Sequence, residues 1–119
     1  MMKKSDNPEL ISVTRFLKSK AAELNAPIWR TLAENLGKSK HRRCVVNLSR
    51  INRYTEDGET VTVPGKVLGS GTLDHKVSVA AFQFSEEAKK KIEAAGGRCL
   101  TFSALIKKNC KGNNLRIIG

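Results

Sequence analysis

The sequence predicts an α/β fold in which a helical hairpin and a basic loop precede a compact core of strands and helices. Apolar residues recur every three or four positions through residues 8–36, a spacing typical of amphipathic helices. Residues 60–63 alternate in polarity as a strand does, and residues 77–84 form an apolar run of strand length. A helical pattern follows this run, so the last part of the chain has the order strand, helix, strand.

The helical hairpin is predicted from two helix starts and two helix ends. Residues 7–9 combine a capping asparagine, a proline at the first helical position and an acid, so a helix should run from there to about Leu24. Residues 25–27 end this helix and begin a second one, which stops at Gly37. The apolar stripes that should face inward are Leu10, Val13, Leu17, Ala21 and Leu24 in the first helix, and Ile28, Leu32, Ala33 and Leu36 in the second. Trp29 could cover the edge of the core or stack on a nucleic-acid base, and we favour the core.

Turn signals organise the first half of the core. Residues 56–58 predict a turn before the strand at 60–63, and Pro64-Gly65 should then bend the chain sharply. Gly69 and Gly71 flank one serine, as glycines do in phosphate-binding loops. They lack a third glycine, a following Lys-Ser/Thr pair and an immediate helix, so we expect no nucleotide site there.

The second half of the core is predicted as a strand, a helix and a returning strand. Ser85 should cap the helix, and Gly96-Gly97 should end it. Ion pairs between residues four apart should neutralise the lysines of this helix, namely Glu86 with Lys90, Glu87 with Lys91, and Lys89 with Glu93. The remaining elements are a strand at Cys99-Leu100, a short helix capped by Thr101 or Ser103, and a last strand at residues 115–118.

Charge is distributed unevenly along the chain. The sequence has 22 Lys and Arg against 11 Asp and Glu, which gives a net charge of +11. Residues 35–55, which we term the cationic segment, hold six of these cations and no acid: Lys38, Lys40, Arg42, Arg43, Arg50 and Arg53. Such a field attracts polyanions, so nucleic acid or an acidic membrane surface is the expected partner, and a merely solubilising surface is the alternative. The mixture of Lys, Arg, Ser and His around His41 suits phosphate contact.

Residue types that carry catalysis or metal binding form no recognisable site in the sequence. Three cysteines, odd in number and never in a C-x-x-C pair, should be core or boundary thiols: Cys44, Cys99 and Cys110. His41 and His75 do not lie at zinc-finger spacing from them, so we expect no metal and no cofactor. Asp74 and His75 are adjacent on a turn and should point in different directions, which favours a solvated turn over a catalytic dyad. We therefore expect that this protein is not an enzyme.

Four stretches carry a resemblance to a known family: Ile28-Trp29-Arg30, Val46-Asn47-Leu48, residues 63–68 and residues 92–97. The sequence resembles the archaeal and eukaryotic large-subunit ribosomal protein eighteen of the e type, a relative of bacterial large-subunit ribosomal protein fifteen. The resemblance covers nearly the whole chain, and the short length resembles the archaeal form. It implies an irregular turned β/α superhelical core, an N-terminal helical extension, and a non-catalytic role in binding large-subunit ribosomal RNA beside neighbouring ribosomal proteins.

The resemblance also implies which residues face the RNA. The positions that match are Arg30, Lys38, Lys40, Arg42, Arg43, Asn47, Arg50 and Lys66, and the cationic segment adds His41 and Arg53. Three glycines are expected to let the backbone approach the RNA closely: Gly65, Gly69 and Gly71. Cys44 stands where the family pattern leads us to expect a small apolar residue, which should affect packing more than binding.

The chain length fits a single domain, with a helical extension at residues 1–37, a basic segment at 38–55 and an α/β core at 56–119. No apolar run approaches the roughly 18 residues of a membrane span, and no secretory signal follows the basic start, so we expect a cytoplasmic protein in the ribosome. An acidic membrane surface is not an expected partner after all, because the cations fall in a stretch with few apolar residues and lack the apolar face of a membrane-surface helix. A small-molecule substrate is not expected either. The alternative function is a non-ribosomal RNA-binding or RNA-processing accessory protein.

Overall fold

The computed structural model describes residues 8–37 and 44–118. In chain order these residues form α1 (Pro8–Leu24), α2 (Pro27–Leu36), β1 (Cys44–Asn47), α3 (Leu48–Tyr54), β2 (Glu59–Leu68), β3 (Val77–Phe84), α4 (Glu86–Ala94), β4 (Arg98–Leu100), α5 (Phe102–Lys108) and β5 (Arg116–Ile117). The predicted α/β class and the predicted N-terminal helices are confirmed. The predicted basic loop at residues 38–43 lies outside the described residues.

The described chain divides into two compact units. A helical unit comprises residues 8–37 and 102–113, and a sheet unit comprises residues 44–101 and 114–118. In the part of the chain that the structure describes, no helix is both long and apolar enough to cross a membrane. The assignment of the chain to a single domain stays a prediction.

The helical unit buries one stripe from each of its three helices. The buried side chains are Leu10, Leu17 and Ala21 of α1, Trp29, Leu32, Ala33 and Leu36 of α2, and Phe102, Leu105 and Ile106 of α5. The predicted stripes of the first two helices are therefore largely confirmed, with Val13, Leu24 and Ile28 only partly buried. α1 ends where Asn25 takes the left-handed conformation (φ 51°), which asparagine tolerates better than most residues.

Two long-range hydrogen bonds attach residues 109–113 to the helices of this unit. Trp29 is fully buried, and its Nε1 donates to the carbonyl oxygen of Cys110 at 2.9 Å. Lys111 Nζ donates to the carbonyl oxygen of Leu24 at 2.6 Å, at the end of α1 where the helix dipole favours a cation. The interpretation of Trp29 as a core residue is confirmed.

The sheet unit is built around β2, and every strand pairing in it is parallel. The strand order is β1-β2-β3-β4, with β5 also paired to β2. Residues 61–62 pair with both β3 and β5, whereas residues 65–68 pair with β1. Because β3 occupies one edge of β2, β5 and β1 must follow one another along the other edge.

The predicted sharp bend at Pro64-Gly65 is wrong. β2 continues through these residues, and only its register with β3 shifts, between Val63 and Lys66. Proline has no N–H to donate, which normally excludes it from a central strand. Pro64 lies where pairing with β5 has ended and pairing with β1 has not begun, so its missing donor breaks no ladder on that edge.

From β1 to β4, each pair of parallel strands that follow one another in the chain is joined by a helix or a loop that crosses back over the sheet. The core of the sheet unit lies between these connections and the sheet. α3 connects β1 to β2, residues 69–76 connect β2 to β3 without a helix, and α4 connects β3 to β4. The buried core comprises Val46, Leu48, Ile51, Val61, Val63, Val67, Val77, Val79, Ala81, Ala88, Ile92 and Ile118. Leu73 of the connection and Cys99 pack against this core. Cys99 is therefore a boundary thiol as predicted, whereas Cys110 is exposed and the prediction for it is wrong.

α4 begins and ends close to the predicted residues, but its ion pairs differ from those predicted. Ser85 Oγ accepts from the backbone N–H of Ala88 at 3.1 Å, which confirms the cap. Lys91 pairs with Glu87 at 3.4 Å as predicted. Lys89 was predicted to pair with Glu93, four residues later. It instead lies 3.9 Å from Glu86, three residues earlier.

Candidate nucleic-acid interface

The predicted RNA-facing residues fall in three places. Lys38, Lys40, His41, Arg42 and Arg43 lie outside the described residues. Arg30 is exposed on α2 of the helical unit. The others belong to the sheet unit: Asn47, Arg50, Arg53, Gly65, Lys66, Gly69 and Gly71.

One group of these residues lies on the solvent side of the sheet. Val45 pairs with Lys66, and Lys66 pairs on its other edge with Gln83. These three side chains are exposed, as is that of Asn47, whereas the side chains of Val46 and Val67 are buried. Alternation along neighbouring strands thus forms an outer sheet face of Val45, Asn47, Lys66 and Gln83. Its amide and ammonium groups can donate hydrogen bonds to phosphate or base oxygens.

A second group lies on α3. Leu48 and Ile51 are fully buried, so this short helix is fixed on the core and turns its other side to solvent. The exposed residues on that side, which we call the α3 face, are Ser49, Arg50, Arg53 and Tyr54. The guanidinium carbon of Arg50 lies 5.7 Å from the centre of the Tyr54 ring, within the range of a cation–π contact.

Arg116 of β5 holds the end of α3. Its Nη1 donates to the carbonyl oxygen of Tyr54 at 2.5 Å, and its Nη2 lies 3.8 Å from Glu59 Oε2. The cation meets the negative end of the helix dipole and is partly neutralised by a carboxylate. Arg116 therefore stabilises the end of α3, and we do not include it among the candidate phosphate-binding residues.

The loop at residues 69–71 is held by the protein's own groups. Lys91 Nζ donates to the carbonyl oxygens of Gly69 at 2.7 Å and Gly71 at 2.8 Å, and the Ser49 N–H donates to the carbonyl oxygen of Ser70 at 3.1 Å. A Cβ on Gly69 would lie 2.7 Å from Glu87 Cβ, and a Cβ on Gly71 would lie 2.5 Å from Ser49 Cβ. Glycine is thus required here by α3 and α4, and Gly65 is buried within β2. Close approach of these glycines to RNA stays a prediction.

Asp74 and His75 contact each other, contrary to prediction. His75 Nδ1 lies 2.9 Å from Asp74 Oδ1, and His75 Nε2 lies 2.8 Å from Thr55 Oγ1. A carboxylate, an imidazole and a hydroxyl in this order also make up hydrolase triads. Thr55 is buried, however, and its hydroxyl donates to the carbonyl oxygen of Ile51 at 2.6 Å, so the hydroxyl caps α3 and is not aimed at a substrate.

The same contacts change the acidity of Asp74. The hydrogen bond with His75, and after it the one with Asn52, lower the pKa of Asp74 below its ordinary value. Asn52 contacts Asp74 twice, because its Oδ1 accepts from the Asp74 N–H at 3.1 Å and its Nδ2 lies 3.4 Å from Asp74 Oδ2. The contacts therefore join the connection at residues 69–76 to α3. Among the described residues, no group of three or more His, Cys, Asp or Glu side chains could hold a metal ion.

Sequence reasoning missed a group of cations in the helical unit. Lys107 and Lys108 end α5, and Lys111 follows in the next turn; all three are exposed. In the described residues neither Lys107 nor Lys108 forms an ion pair, while Lys111 caps α1. A signal was available, since residues 94–119 contain five cations and no acid.

The geometry and the charge together define a small basic α/β protein that suits a polyanion and carries no recognisable catalytic or metal centre in its described residues. Comparison with known proteins identifies the family: residues 2–119 match the model of the family described as ribosomal protein 60S L18 and 50S L18e. The chain belongs to this family. The protein is accordingly a structural constituent of the large ribosomal subunit.

The most similar relatives include archaeal proteins named large ribosomal subunit protein eL18. The one from Methanothermobacter thermautotrophicus is 47% identical over 112 residues, covering 94% of this chain and 93% of the relative. The one from Methanoregula boonei is 48% identical over 112 residues, with the same coverage. The one from Archaeoglobus fulgidus is 44% identical over 117 residues, covering 98% of this chain and 99% of the relative. The resemblance inferred from the sequence is therefore confirmed.

Proposed function

We propose that the protein binds large-subunit ribosomal RNA through the cationic segment and the outer sheet face, and that its role is structural and not enzymatic. The observation that carries the proposal is the composition of the cationic segment, which holds six cations and no acid. Two of these cations, Arg50 and Arg53, lie on the α3 face, which Leu48 and Ile51 fix on the core. Ordered cations can contact phosphates at a lower entropy cost than a disordered tail.

Each residue type has a distinct role in the proposed contact. The arginines present planar forks that suit two phosphate oxygens, whereas the lysines meet phosphate as point charges. Asn47 and Lys66 lie two residues apart in register on neighbouring strands, and both are exposed on the outer sheet face, so both can reach the same stretch of RNA backbone. The proposed contact residues are Arg30, Lys38, Lys40, His41, Arg42, Arg43, Asn47, Arg50, Arg53 and Lys66.

An RNA-processing enzyme is the second candidate, because Asp74, His75 and Thr55 stand in the order of a triad. The buried position of Thr55 and the donation of its hydroxyl to Ile51 support the structural role instead. Neighbouring ribosomal proteins are also proposed partners.

The proposal is tested by mixing the purified protein with large-subunit ribosomal RNA and following both retention and RNA length. We expect retention that weakens steeply with salt, and RNA of unchanged length. Anionic vesicles serve as the control polyanion surface, and flotation with them should be weak at physiological salt. RNA cleavage that survives repurification and is lost in a His75→Ala variant would establish the enzyme, and vesicle binding without RNA binding would establish a membrane-surface protein.

A further inference from the structure

Tyr54 is distinctive among the aromatic side chains of the protein. Trp29 and Phe102 are buried, and the other three phenylalanines are partly buried. Tyr54 is 49% exposed and is the only exposed aromatic residue in the part of the chain that the structure describes. A tyrosine left half in water forgoes much of the free energy that its burial would provide.

The backbone at Tyr54 is held in place by contacts on both sides, so the position of the ring is restricted. Ile51, three residues earlier on α3, is fully buried. The Tyr54 carbonyl accepts from Arg116, and Thr55 is held by its bonds to Ile51 and His75. Because the ring is already restricted, it loses little conformational entropy when a planar group stacks on it.

The charges around the ring select the kind of partner. Arg50 lies against the ring, and Arg53 is exposed on the same helix. Glu59 is engaged by Arg116 and by the N–H of Glu56 at 2.6 Å. An exposed aromatic face beside arginines is the combination with which proteins bind single-stranded nucleic acid, where bases stack on the ring and phosphates meet the cations.

We propose that Tyr54 and Arg50 form a stacking site for one unpaired RNA base, with Arg53 contacting an adjacent phosphate. The inference rests on the proposed RNA binding and adds a contact to the base, which the cationic segment by itself does not provide. A purely internal role is the alternative, because Arg50 and Tyr54 are four residues apart and their contact also stabilises the helix.

The experiment uses 3-fluorotyrosine, since the sequence has a single tyrosine and the label gives a single fluorine resonance. The probe is oligoadenylate of about twelve nucleotides, which falls within the site sizes of single-strand-binding surfaces. An abasic oligonucleotide of equal length carries the same phosphates without bases. We expect oligoadenylate to shift the resonance and the abasic strand to bind without shifting it.

Two variants complete the test. Tyr54→Ala should weaken oligoadenylate binding roughly 5- to 100-fold and leave binding of the abasic strand unchanged, because stacking on one aromatic ring contributes on that scale. Tyr54→Phe keeps the ring and should bind within about twofold of the parent. Thermal midpoints of both variants separate lost stacking from lost folding.

The outcomes distinguish the two proposals. If Tyr54→Ala is folded and binds both strands as the parent does, stacking is refuted and the exposed ring is left to a protein neighbour, while RNA binding stands. A resonance shift that is equal for both strands would also refute stacking. If the parent protein retains neither strand nor ribosomal RNA, the proposed function itself fails, and the stacking site fails with it.

Discussion

Lys91 Nζ donates a hydrogen bond of 2.7 Å to the carbonyl oxygen of Gly69, across 22 residues of sequence. The same ammonium group reaches the carbonyl oxygen of Gly71 at 2.8 Å and Glu87 Oε2 at 3.4 Å. Two of the three ammonium protons are thus used in hydrogen bonds to the loop, and the charge is paired with a carboxylate. Lys91 therefore positions the loop at residues 69–71 and is less available to an RNA phosphate than an unpaired lysine.

Replacing Lys91 with methionine should lower the free energy of unfolding by about 1–2 kcal/mol, because hydrogen bonds from a charged donor are lost at a partly exposed site. Urea unfolding provides the measurement. Lys90→Met on the same helix is the matched control, since Lys90 is exposed and forms no ion pair in the described residues, and its cost should stay near zero. Equal losses for the two variants would mean that the bonds to the loop contribute nothing to stability.

Replacing Gly69 with alanine should destabilise the sheet unit by about 1–3 kcal/mol through overpacking. The added Cβ would lie 2.7 Å from Glu87 Cβ and 2.8 Å from the backbone nitrogen of Ala88, and a helix backbone cannot easily move away. Ser70→Ala in the same loop is the control, because Ser70 is exposed and its backbone bond to Ser49 is kept. A Gly69→Ala variant as stable as Ser70→Ala would contradict the packing described for this loop.

Asp74 should make stability depend on pH below the neutral range. Its pKa is lowered in the folded protein from an ordinary value of 3.8, chiefly by the hydrogen bond with His75. A lowered folded pKa means that the ionised carboxylate favours the folded state; this stability is present above pH 3.8 and is lost as the pH falls through the folded pKa.

The Asp74→Asn variant isolates this effect, because asparagine resembles the protonated acid in shape and lacks its charge. The variant should be less stable than the parent at pH 7, and the difference should close as the pH falls below 3.8. Urea unfolding at a series of pH values measures it. A difference that is constant with pH would show that charge on Asp74 plays no part.

The elements that were predicted correctly have local causes. The first helix begins with a proline and an acid and carries an apolar stripe, and Ser85 caps α4 through a residue only three positions away. Helix starts and caps of this kind depend on neighbours in sequence, which a sequence displays directly.

The elements that were missed depend on partners distant in sequence. Pro64-Gly65 carries a strong turn signal, but the ends of two neighbouring strands let β2 pass through it. Lys91 was correctly paired with Glu87, yet its bonds to Gly69 and Gly71 become visible only when the loop lies against α4. Asp74 and His75 meet because Asn52 and Thr55 of a separate segment hold both.

The sequence predicted the charge of the candidate interface better than it predicted which side chains are exposed there. The acid-free composition of the cationic segment is visible in the sequence, and Arg50, Arg53 and Lys66 are exposed as RNA contact requires. The exposure of Tyr54 could not be foreseen, since the sequence does not show how the end of α3 packs. It depends on which side of α3 the core occupies.

The central claim is that the cationic segment contacts RNA phosphates, and the salt dependence of binding tests it most directly. Each phosphate contact that is lost should flatten the slope of log affinity against log salt by roughly 0.7–0.9. The test variant replaces four cations of the segment with alanine: Lys38, Lys40, Arg42 and Arg43. The control replaces Lys89 and Lys90 of α4, and Lys91 is kept because it holds the loop.

With large-subunit ribosomal RNA, the test variant should bind much more weakly, and its slope should fall by about two to four. The control should keep nearly the parent's affinity and slope, since Lys89 pairs with Glu86 and both lysines lie on α4, outside the cationic segment. Helicity and thermal midpoint must match in all three proteins. Equal slopes, per charge removed, in the folded test and control variants would contradict the account and place the RNA on another surface.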